Sequence, residues 1–197
     1  IAKSADVPEF GRKIHVEASR MIQLVNDILQ LSHLDNVSET NDTPQMETVD
    51  LLDVAKECVE RQKVNAQKSF ISLTYLGESA PVLGSRSLLD ELCQNLCDNA
   101  IRYNRPGGKV QLITACTRDG HCTLTVKDNG IGIPKEAQSS VFERFYRVDK
   151  SRSKATGGTG LGLAIVKHIA RIHNARIKLE SEIGEGTTIT VLFETAH

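Results

Sequence analysis

The chain has 197 residues, a formal net charge of −1, 40% hydrophobic residues and 25% charged residues. This composition suits one compact domain with an appendage, and the balanced charge argues against a dedicated nucleic-acid or membrane-surface binder. No apolar run approaches the roughly 20 residues needed to cross a bilayer, and the sequence carries no signal peptide.

A long amphipathic helix is predicted from Pro8 to Asp35. Its apolar side chains recur at alternating steps of four and three at Ile14, Ala18, Met21, Val25 and Ile28, and the same stripe is broadened by Ile22, Leu24, Leu29 and Leu31. Such spacing buries one face against other helices, as in a bundle or a coiled coil. Because no second long helix follows, we expect its partner helices before Ile1, on another subunit, or both. The first residue is not a methionine, which also predicts a piece of a longer protein. The alternative is a solitary helix folded back on its own domain.

A polar linker is predicted from Asn36 to Gln45, and short elements follow it. Asp50 is predicted to cap a helix that ends near Lys68. Short strands are predicted on both sides of that helix, at 46–49, 70–76 and 82–83.

The next helix is predicted from Ser85, as its cap, to about Tyr103. Asn95 and Asn99 are four residues apart, so they stack at one edge of its apolar face. Such a pair can simply hydrogen-bond neighbouring backbone. An amide oxygen is also a ligand that Mg²⁺ accepts together with water and phosphate oxygens. The helix alone leaves both interpretations open.

A β-hairpin is predicted at 109–127 around the turn Arg118-Asp119-Gly120. Its second strand leads directly into Asp128-Asn129-Gly130-Ile131-Gly132-Ile133-Pro134. A carboxylate at a strand end can accept a hydrogen bond from an exocyclic amine, and glycines beyond it let the backbone approach a flat ring. Taken alone, an ordinary Asp-Asn-Gly turn explains the same residues.

A second glycine-rich stretch, from Gly158 to Leu163, is preceded by a polar and basic segment, Lys150 to Thr156. We predict that this segment, together with Gly157 to Gly160, is a flexible lid and that a helix begins at Thr159. Glycines at a helix N-terminus expose N–H groups where the dipole favours an anion, so phosphates are expected there. No strand immediately precedes these glycines, which excludes a Rossmann fingerprint, and the missing Gly-Lys-Ser/Thr excludes a Walker A loop. A closing hairpin is predicted over 176–194.

The five cysteines are odd in number and form no CxxC pair. Cys93 and Cys97 lie one helical turn apart within an apolar stripe. A metal or redox site is one interpretation, but the simpler one is that the cysteines are small buried hydrophobic residues in a reducing cytoplasm.

Four segments, taken in order, resemble the N, G1, F and G2 boxes of the GHKL ATPases: Asn95 to Ala100, Asp128 to Pro134, Val141 to Asp149, and Gly158 to Leu163. The closest resemblance is to the catalytic ATP-binding domain of sensor histidine kinases. It implies a Bergerat-type α/β (α+β) sandwich, with a mixed, mostly antiparallel sheet packed on three helices. The long helix resembles the second helix of the family's dimerising hairpin. The implied domains are therefore 1–36 for part of the hairpin, 37–45 for the linker and 46–197 for the catalytic domain.

The resemblance also implies a site for ATP and Mg²⁺. Asp128 would read the adenine amine. Asn99 would hold Mg²⁺, and Asn95 would line the phosphate site. The residues implied around the ring, ribose and phosphates are Arg102, Tyr103, Gly130, Gly132, Ile133, Arg147, Gly158, Thr159, Gly160, Leu161, Gly162 and Leu163.

The implied reaction transfers the ATP γ-phosphoryl group to a histidine and then to an aspartate of a response regulator. The implied setting is a cytoplasmic domain of a membrane-anchored homodimer. Two departures stand out: the family usually has lysine where Arg102 stands, and none of the six histidines has the acidic, basic and proline neighbours of a phosphoacceptor. The acceptor helix and its general base are therefore expected outside this sequence.

Three alternatives remain open from the sequence. One is a different GHKL ATPase that couples hydrolysis to domain closure, and another is a non-catalytic module that binds nucleotide or a partner helix. The third is phosphatase action on the regulator, which would depend mainly on the missing helix.

Overall fold

The computed structural model describes residues 7–39, 44–117, 119–148 and 158–194, leaving aside the side chains of residues 7–9, 33 and 35–39. The helices are α1 (Val7–Glu39), α2 (Leu51–Lys68), α3 (Arg86–Arg102), α4 (Lys135–Gln138) and α5 (Gly162–Ile172). The strands are β1 (Glu47–Asp50), β2 (Ser72–Gly77), β3 (Pro81–Gly84), β4 (Lys109–Cys116), β5 (His121–Asp128), β6 (Arg176–Glu182) and β7 (Gly186–Glu194).

Five strands form one mixed sheet in the order β2-β4-β5-β7-β6. Only the β2–β4 pair is parallel among these described strands, and the other three pairs are antiparallel. Strands β1 and β3 pair separately as an antiparallel two-stranded sheet. The predicted α/β sandwich with a mixed, mostly antiparallel sheet is therefore confirmed.

The core lies between one face of this sheet and helices α2, α3 and α5. Alternate residues of the central strands point into it, as a half-buried sheet requires. These buried strand residues include Val110, Leu112, Leu124, Val126, Val191 and Phe193. This buried row fixes the register of β5. As a result Asp128, the last residue of this central strand, lies at the end of the strand and beside α3.

Asp50 caps α2 as predicted. Its Oδ1 accepts a hydrogen bond from the Leu52 amide at 2.9 Å, and the same atom accepts one from Ala80 N at 2.8 Å. The prediction for Ser85 is only half right. Ser85 stands at the N-cap position of α3, but its hydroxyl makes no capping bond and pairs instead with that of Ser87 at 3.2 Å.

Helix α1 is longer than predicted, and only part of its predicted apolar stripe is buried. Its C-terminal part packs on α5, where Leu31 and Leu34 are buried and the carbonyl of Leu34 accepts a hydrogen bond from His168 Nε2 at 2.9 Å. Of the predicted stripe, Leu24 and Leu31 pack against the core, whereas its main row points away from it, with Ile14 and Met21 55% and 60% exposed. The expectation that this stripe pairs with further helices stays a prediction.

Two predicted boundaries are corrected, and one short helix is added. The linker cannot begin at 36, since α1 continues to Glu39, and residues 40–43 lie outside the described ranges. The helix predicted from Thr159 begins at Gly162, because Gly160 adopts a φ of +78°, which no right-handed helix accommodates. The short helix α4 was not predicted. Residues 149–157, which include most of the predicted lid, lie outside the described residues.

The cysteines need one correction as well. Cys58, Cys93 and Cys97 are buried free thiols, as the simpler interpretation predicts. Cys116 and Cys122, however, form a disulfide. They are directly opposite each other in the antiparallel β4–β5 ladder, which brings their side chains together.

Candidate functional site

A cavity of about 770 Å³ lies where α1, α3, the end of β5 and the start of α5 meet. Nearly all of the predicted site residues line it: Asn95, Asn99, Arg102, Tyr103, Asp128, Gly132, Ile133, Arg147, Gly158, Thr159, Gly160, Gly162 and Leu163. Two predicted residues do not. Gly130 does not reach the cavity surface, and the Leu161 side chain is fully buried in the core.

Asp128 is anchored at the end of β5 by backbone amides. Its Oδ1 accepts hydrogen bonds from Gly130 N at 2.8 Å and from Thr187 N at 3.2 Å. The first bond is the Asx turn of the simpler interpretation. Among the described residues both of these bonds end on Oδ1, which leaves Oδ2 as an acceptor for a ligand. Burial raises the pKa of Asp128, while the two amides oppose that rise by stabilising the charged form.

The glycines after Asp128 are required by backbone packing. A methyl group at Gly132, where φ is +71°, would lie 2.0 Å from the carbonyl oxygen of Glu182. One at Gly130 would lie 2.4 Å from the carbonyl oxygen of Tyr103. Both contacts hold the turn against neighbouring elements. The idea that these glycines also admit a ring stays a prediction.

Cationic and hydroxyl groups converge around Gly158, which also lines the cavity. A methyl group placed on Gly158 would lie 2.8 Å from Arg102 Nη1, 3.3 Å from Tyr103 Oη and 3.6 Å from Arg147 Nη2. Two guanidinium groups and a phenol thus meet here. They come from the end of α3 and from residues 141–148, the aromatic segment that resembles the F box, and they surround the second glycine stretch. Arginine groups of this kind recognise phosphate through several N–H donors at once.

The glycine turn that follows is tied to the aromatic segment. Phe145 N donates to the carbonyl of Gly160 at 2.9 Å, and a methyl group on Gly160 would meet the Phe145 backbone at 3.1 Å. Helix α5 starts immediately after the turn, and its first residues Gly162 and Leu163 line the cavity. Since the first N–H groups of a helix have no partner within it, this end of the cavity favours an anion.

The two asparagines of α3 face that helix start. A methyl group on Gly162 would lie 2.9 Å from Asn95 Oδ1 and 3.6 Å from Asn99 Nδ2. Asn95 Nδ2 donates to the carbonyl of Glu91 at 3.0 Å, which fixes its amide. The interpretation as a backbone bond therefore holds for Asn95, which also lines the cavity, while the interpretation of the pair as magnesium ligands stays a prediction.

The residues fit a magnesium ion only if other ligands accompany it. In the part of the chain that is described, no three or more His, Cys, Asp or Glu side chains form a metal cluster. An amide oxygen from Asn99 is a ligand that Mg²⁺ accepts, and its remaining ligands would be phosphate oxygens and water.

Glu91 is a cavity residue that the sequence analysis did not assign to the site. Its Oε1 is buried without a hydrogen-bond partner among the described residues. Burial raises the pKa of Glu91 to about 7; a hydrogen bond with Gln30 of α1 opposes this and the nearby charge of Asp27 adds to it. Three α1 residues that line the cavity, Gln23, Asp27 and Gln30, were missed as well.

We expect Glu91→Gln to change the pH dependence of stability. With a folded pKa of about 7 against an ordinary value of 4.5, Glu91 keeps its proton in the folded chain while the unfolded chain loses it. Stability is therefore lost as pH rises from about 4.5 to 7, by up to about 3 kcal/mol. Glu91→Gln should remove this loss, so its advantage in urea unfolding should grow between pH 5 and pH 8. Glu60→Gln, at an exposed position of α2, is the control, and an advantage that does not grow with pH would refute the assignment.

Comparison with known proteins agrees with this geometry. The family model described as "Histidine kinase-, DNA gyrase B-, and HSP90-like ATPase" matches residues 84–197, more than half of the chain. The chain therefore belongs to this ATPase family, and it carries the ATP-binding catalytic domain of a sensor histidine kinase.

The individual relatives include sensor histidine kinases. The chain is 43% identical over 196 residues to the sensor-like histidine kinase SenX3 of Mycolicibacterium smegmatis, covering 95% of this chain and 49% of that protein. The structure of the mycobacterial sensor histidine kinase MprB superposes with a TM-score of 0.66 at 31% identity, covering 76% of this chain and 97% of that one. A structure of histidine kinase ThkA in complex with response regulator protein TrrA shares the fold, with a TM-score of 0.75 at 19% identity over 100% of this chain and 53% of that one. The chain thus spans about half the length of the SenX3 proteins it matches.

Within the described ranges, no helix combines the length and the apolar character that a membrane span requires.

Proposed function

We propose that this cavity binds Mg·ATP and presents its γ-phosphoryl group to a histidine on a helical hairpin. The observation that carries the proposal is that one cavity is lined both by an anchored carboxylate, Asp128, and by a cationic cluster made by Arg102 and Arg147. A nucleotide has the same polarity, with an amine at one end and phosphates at the other.

In the proposed complex each group of the chain has a defined task. Asp128 Oδ2 accepts the hydrogen bond of the adenine amine. Arg102 and Arg147 neutralise phosphate charge, while the first amides of α5 donate to phosphate oxygens. Bound Mg²⁺ would supply further charge neutralisation, held on the protein side by Asn99. Catalysis of phosphoryl transfer rests mainly on such positioning and charge stabilisation.

The acceptor and the later partners are also proposals. The exposed stripe of α1 fits the second helix of a hairpin. The first helix of that hairpin would carry the acceptor histidine and its general base. Two such hairpins would pair to form a homodimer. A response regulator would then receive the phosphoryl group on an aspartate. We likewise propose the division into hairpin part, linker and catalytic domain that was predicted as 1–36, 37–45 and 46–197. Because α1 continues to Glu39, the linker in this proposal starts after Glu39. A cytoplasmic position in a membrane-anchored protein stays a prediction from the family.

Calorimetric titration with a non-hydrolysable ATP analogue, with and without Mg²⁺, tests the proposal. We expect saturable binding that tightens with the metal. The acceptor hairpin supplied in trans with γ-labelled ATP should then acquire an acid-labile phosphoryl group. No binding at millimolar nucleotide would refute the proposed site. Steady hydrolysis without any acceptor would favour a different ATPase of the same family.

We expect Asn99→Ala to weaken binding of the ATP analogue by about 1–2 kcal/mol when Mg²⁺ is present, because one ligand of the metal is lost. The loss should nearly vanish when the metal is chelated. Gln67→Ala, at an exposed position of α2, is the control for the loss of an amide. Equal losses with and without Mg²⁺ would rule out a metal ligand at Asn99.

A further inference from the structure

Asp27 is the one buried carboxylate of α1 in the described part of the chain, and it lies against the phosphate end of the cavity. It is only 6% exposed, although it belongs to a helix with a mostly exposed surface. Both of its oxygens are occupied. Oδ1 accepts from Gln23 Nε2 at 2.7 Å, within α1, and Oδ2 accepts from Thr159 Oγ1 at 2.6 Å.

The second bond joins residues that are 132 positions apart in the chain. Thr159 belongs to the glycine turn before α5, between Gly158 and Gly160, and all three residues line the cavity together with Asp27. The Thr159 hydroxyl also accepts a hydrogen bond from Leu161 N at 3.3 Å. One hydroxyl thus links a carboxylate of α1 to a backbone amide of the turn.

The chemistry of this link resembles that of a bound phosphate. A carboxylate that accepts from a hydroxyl beside a helix N-terminus is an anion in the place where an anion is favoured. While Asp27 holds Thr159, the hydroxyl cannot donate to a phosphate oxygen. A triphosphate in the same cavity would also bring several negative charges close to the Asp27 carboxylate.

Besides the hydrogen bond between Gln30 and Glu91, the same contact surface holds two further links between α1 and the catalytic domain. Leu34 O accepts from His168 Nε2 at 2.9 Å, and Leu31 is buried in the core. The links through Leu31 and Leu34 lie on α5 and do not require an empty phosphate site. The bond between Asp27 and Thr159, in contrast, requires that the phosphate site be empty.

We propose that Asp27 is an internal substitute for phosphate, a latch that holds α1 against the glycine turn and is displaced when the triphosphate of ATP binds. This inference rests on the proposed nucleotide site. Its consequence is negative coupling: docking of α1 weakens ATP binding, and ATP loosens α1 by the same factor, as linkage requires. Asp27 therefore acts through Thr159 as a positioning residue.

The experiment measures affinity and helix mobility in the same chains. Asp27→Ala removes the latch, and Asp27→Asn removes its charge while keeping a hydrogen-bonding group. Glu17→Gln is the control on the same helix, because the described structure pairs Glu17 only with its exposed neighbour Arg20. Circular dichroism first establishes that all variants keep their helix content. Calorimetry with the non-hydrolysable ATP analogue and Mg²⁺ then gives affinity, and hydrogen exchange read by mass spectrometry follows α1.

We expect Asp27→Ala to bind the analogue about tenfold more tightly, with Asp27→Asn in between and Glu17→Gln unchanged. Exchange in α1 should rise on nucleotide binding in the unaltered chain, and it should already be high without nucleotide in Asp27→Ala. Unchanged or weaker binding by Asp27→Ala, while the unaltered chain binds normally, would overturn the latch and leave the nucleotide site standing. Absence of binding in every chain would overturn both.

Discussion

Asp128→Asn should weaken binding of the ATP analogue by about 1–3 kcal/mol, or roughly 5- to 150-fold in Kd, through loss of a charge-assisted hydrogen bond to the adenine amine. The substitution is nearly isosteric. Its amide oxygen can take the place of Oδ1 and still accept from Gly130 N and Thr187 N. The amide nitrogen would then replace Oδ2, so that a donor meets the donor on the base.

This arrangement predicts a change in specificity as well as a loss of affinity. A 6-oxopurine nucleotide such as GTP presents an acceptor where ATP presents an amine, so Asp128→Asn should narrow or reverse the preference for ATP. Folding should be unaffected or slightly improved, because burial disfavours the charged form of Asp128. Calorimetry with both nucleotides and urea unfolding check these points, with Asp119→Asn in the hairpin turn as the control. An unchanged ATP affinity would remove Asp128 from adenine recognition.

The elements of this fold follow from local patterns in the sequence. Strands β4 and β5 alternate clearly around a turn with glycine, and Asp50 is an effective N-cap, so both were placed to within a residue or two. The disulfide also had a signal that was overlooked. A hairpin with its turn at 118–120 pairs Thr117 with His121, and therefore places Cys116 opposite Cys122.

The faces and contacts that depend on distant residues were harder to predict. Helix α1 carries two apolar rows, and nothing within the helix tells that Leu31 and Leu34 face α5, and Asp27 the turn before it, while Ile14 and Met21 face outward. Leu161 shows the same difficulty at one residue. It stands inside a glycine motif that lines the cavity, but its large apolar side chain turns into the core because burial there removes it from water.

The turn that follows Asp128, at 129–133, has a part in folding as well as in the proposed recognition of the nucleotide. Gly132 has a φ of +71°, and its missing side chain leaves room for the carbonyl of Glu182 at the end of β6. The chain between Asp128 and Ile133 is thereby held against the last hairpin. Any side chain at Gly132 must displace backbone on one side or the other.

We expect Gly132→Ala to lower the free energy of unfolding by about 2–4 kcal/mol. A left-handed conformation costs an alanine about 1–2 kcal/mol, and the clash of its Cβ with Glu182 O, at 2.0 Å, adds the effect of overpacking. Gly184→Ala is the matched control in the adjoining turn, since Gly184 also has a positive φ, +86°, but has no atom within 4 Å of the added carbon. It should lose only the conformational part, so urea unfolding of the two variants separates backbone strain from steric contact. Equal losses would mean that the contact with Glu182 relaxes freely and that Gly132 is needed for its backbone conformation alone.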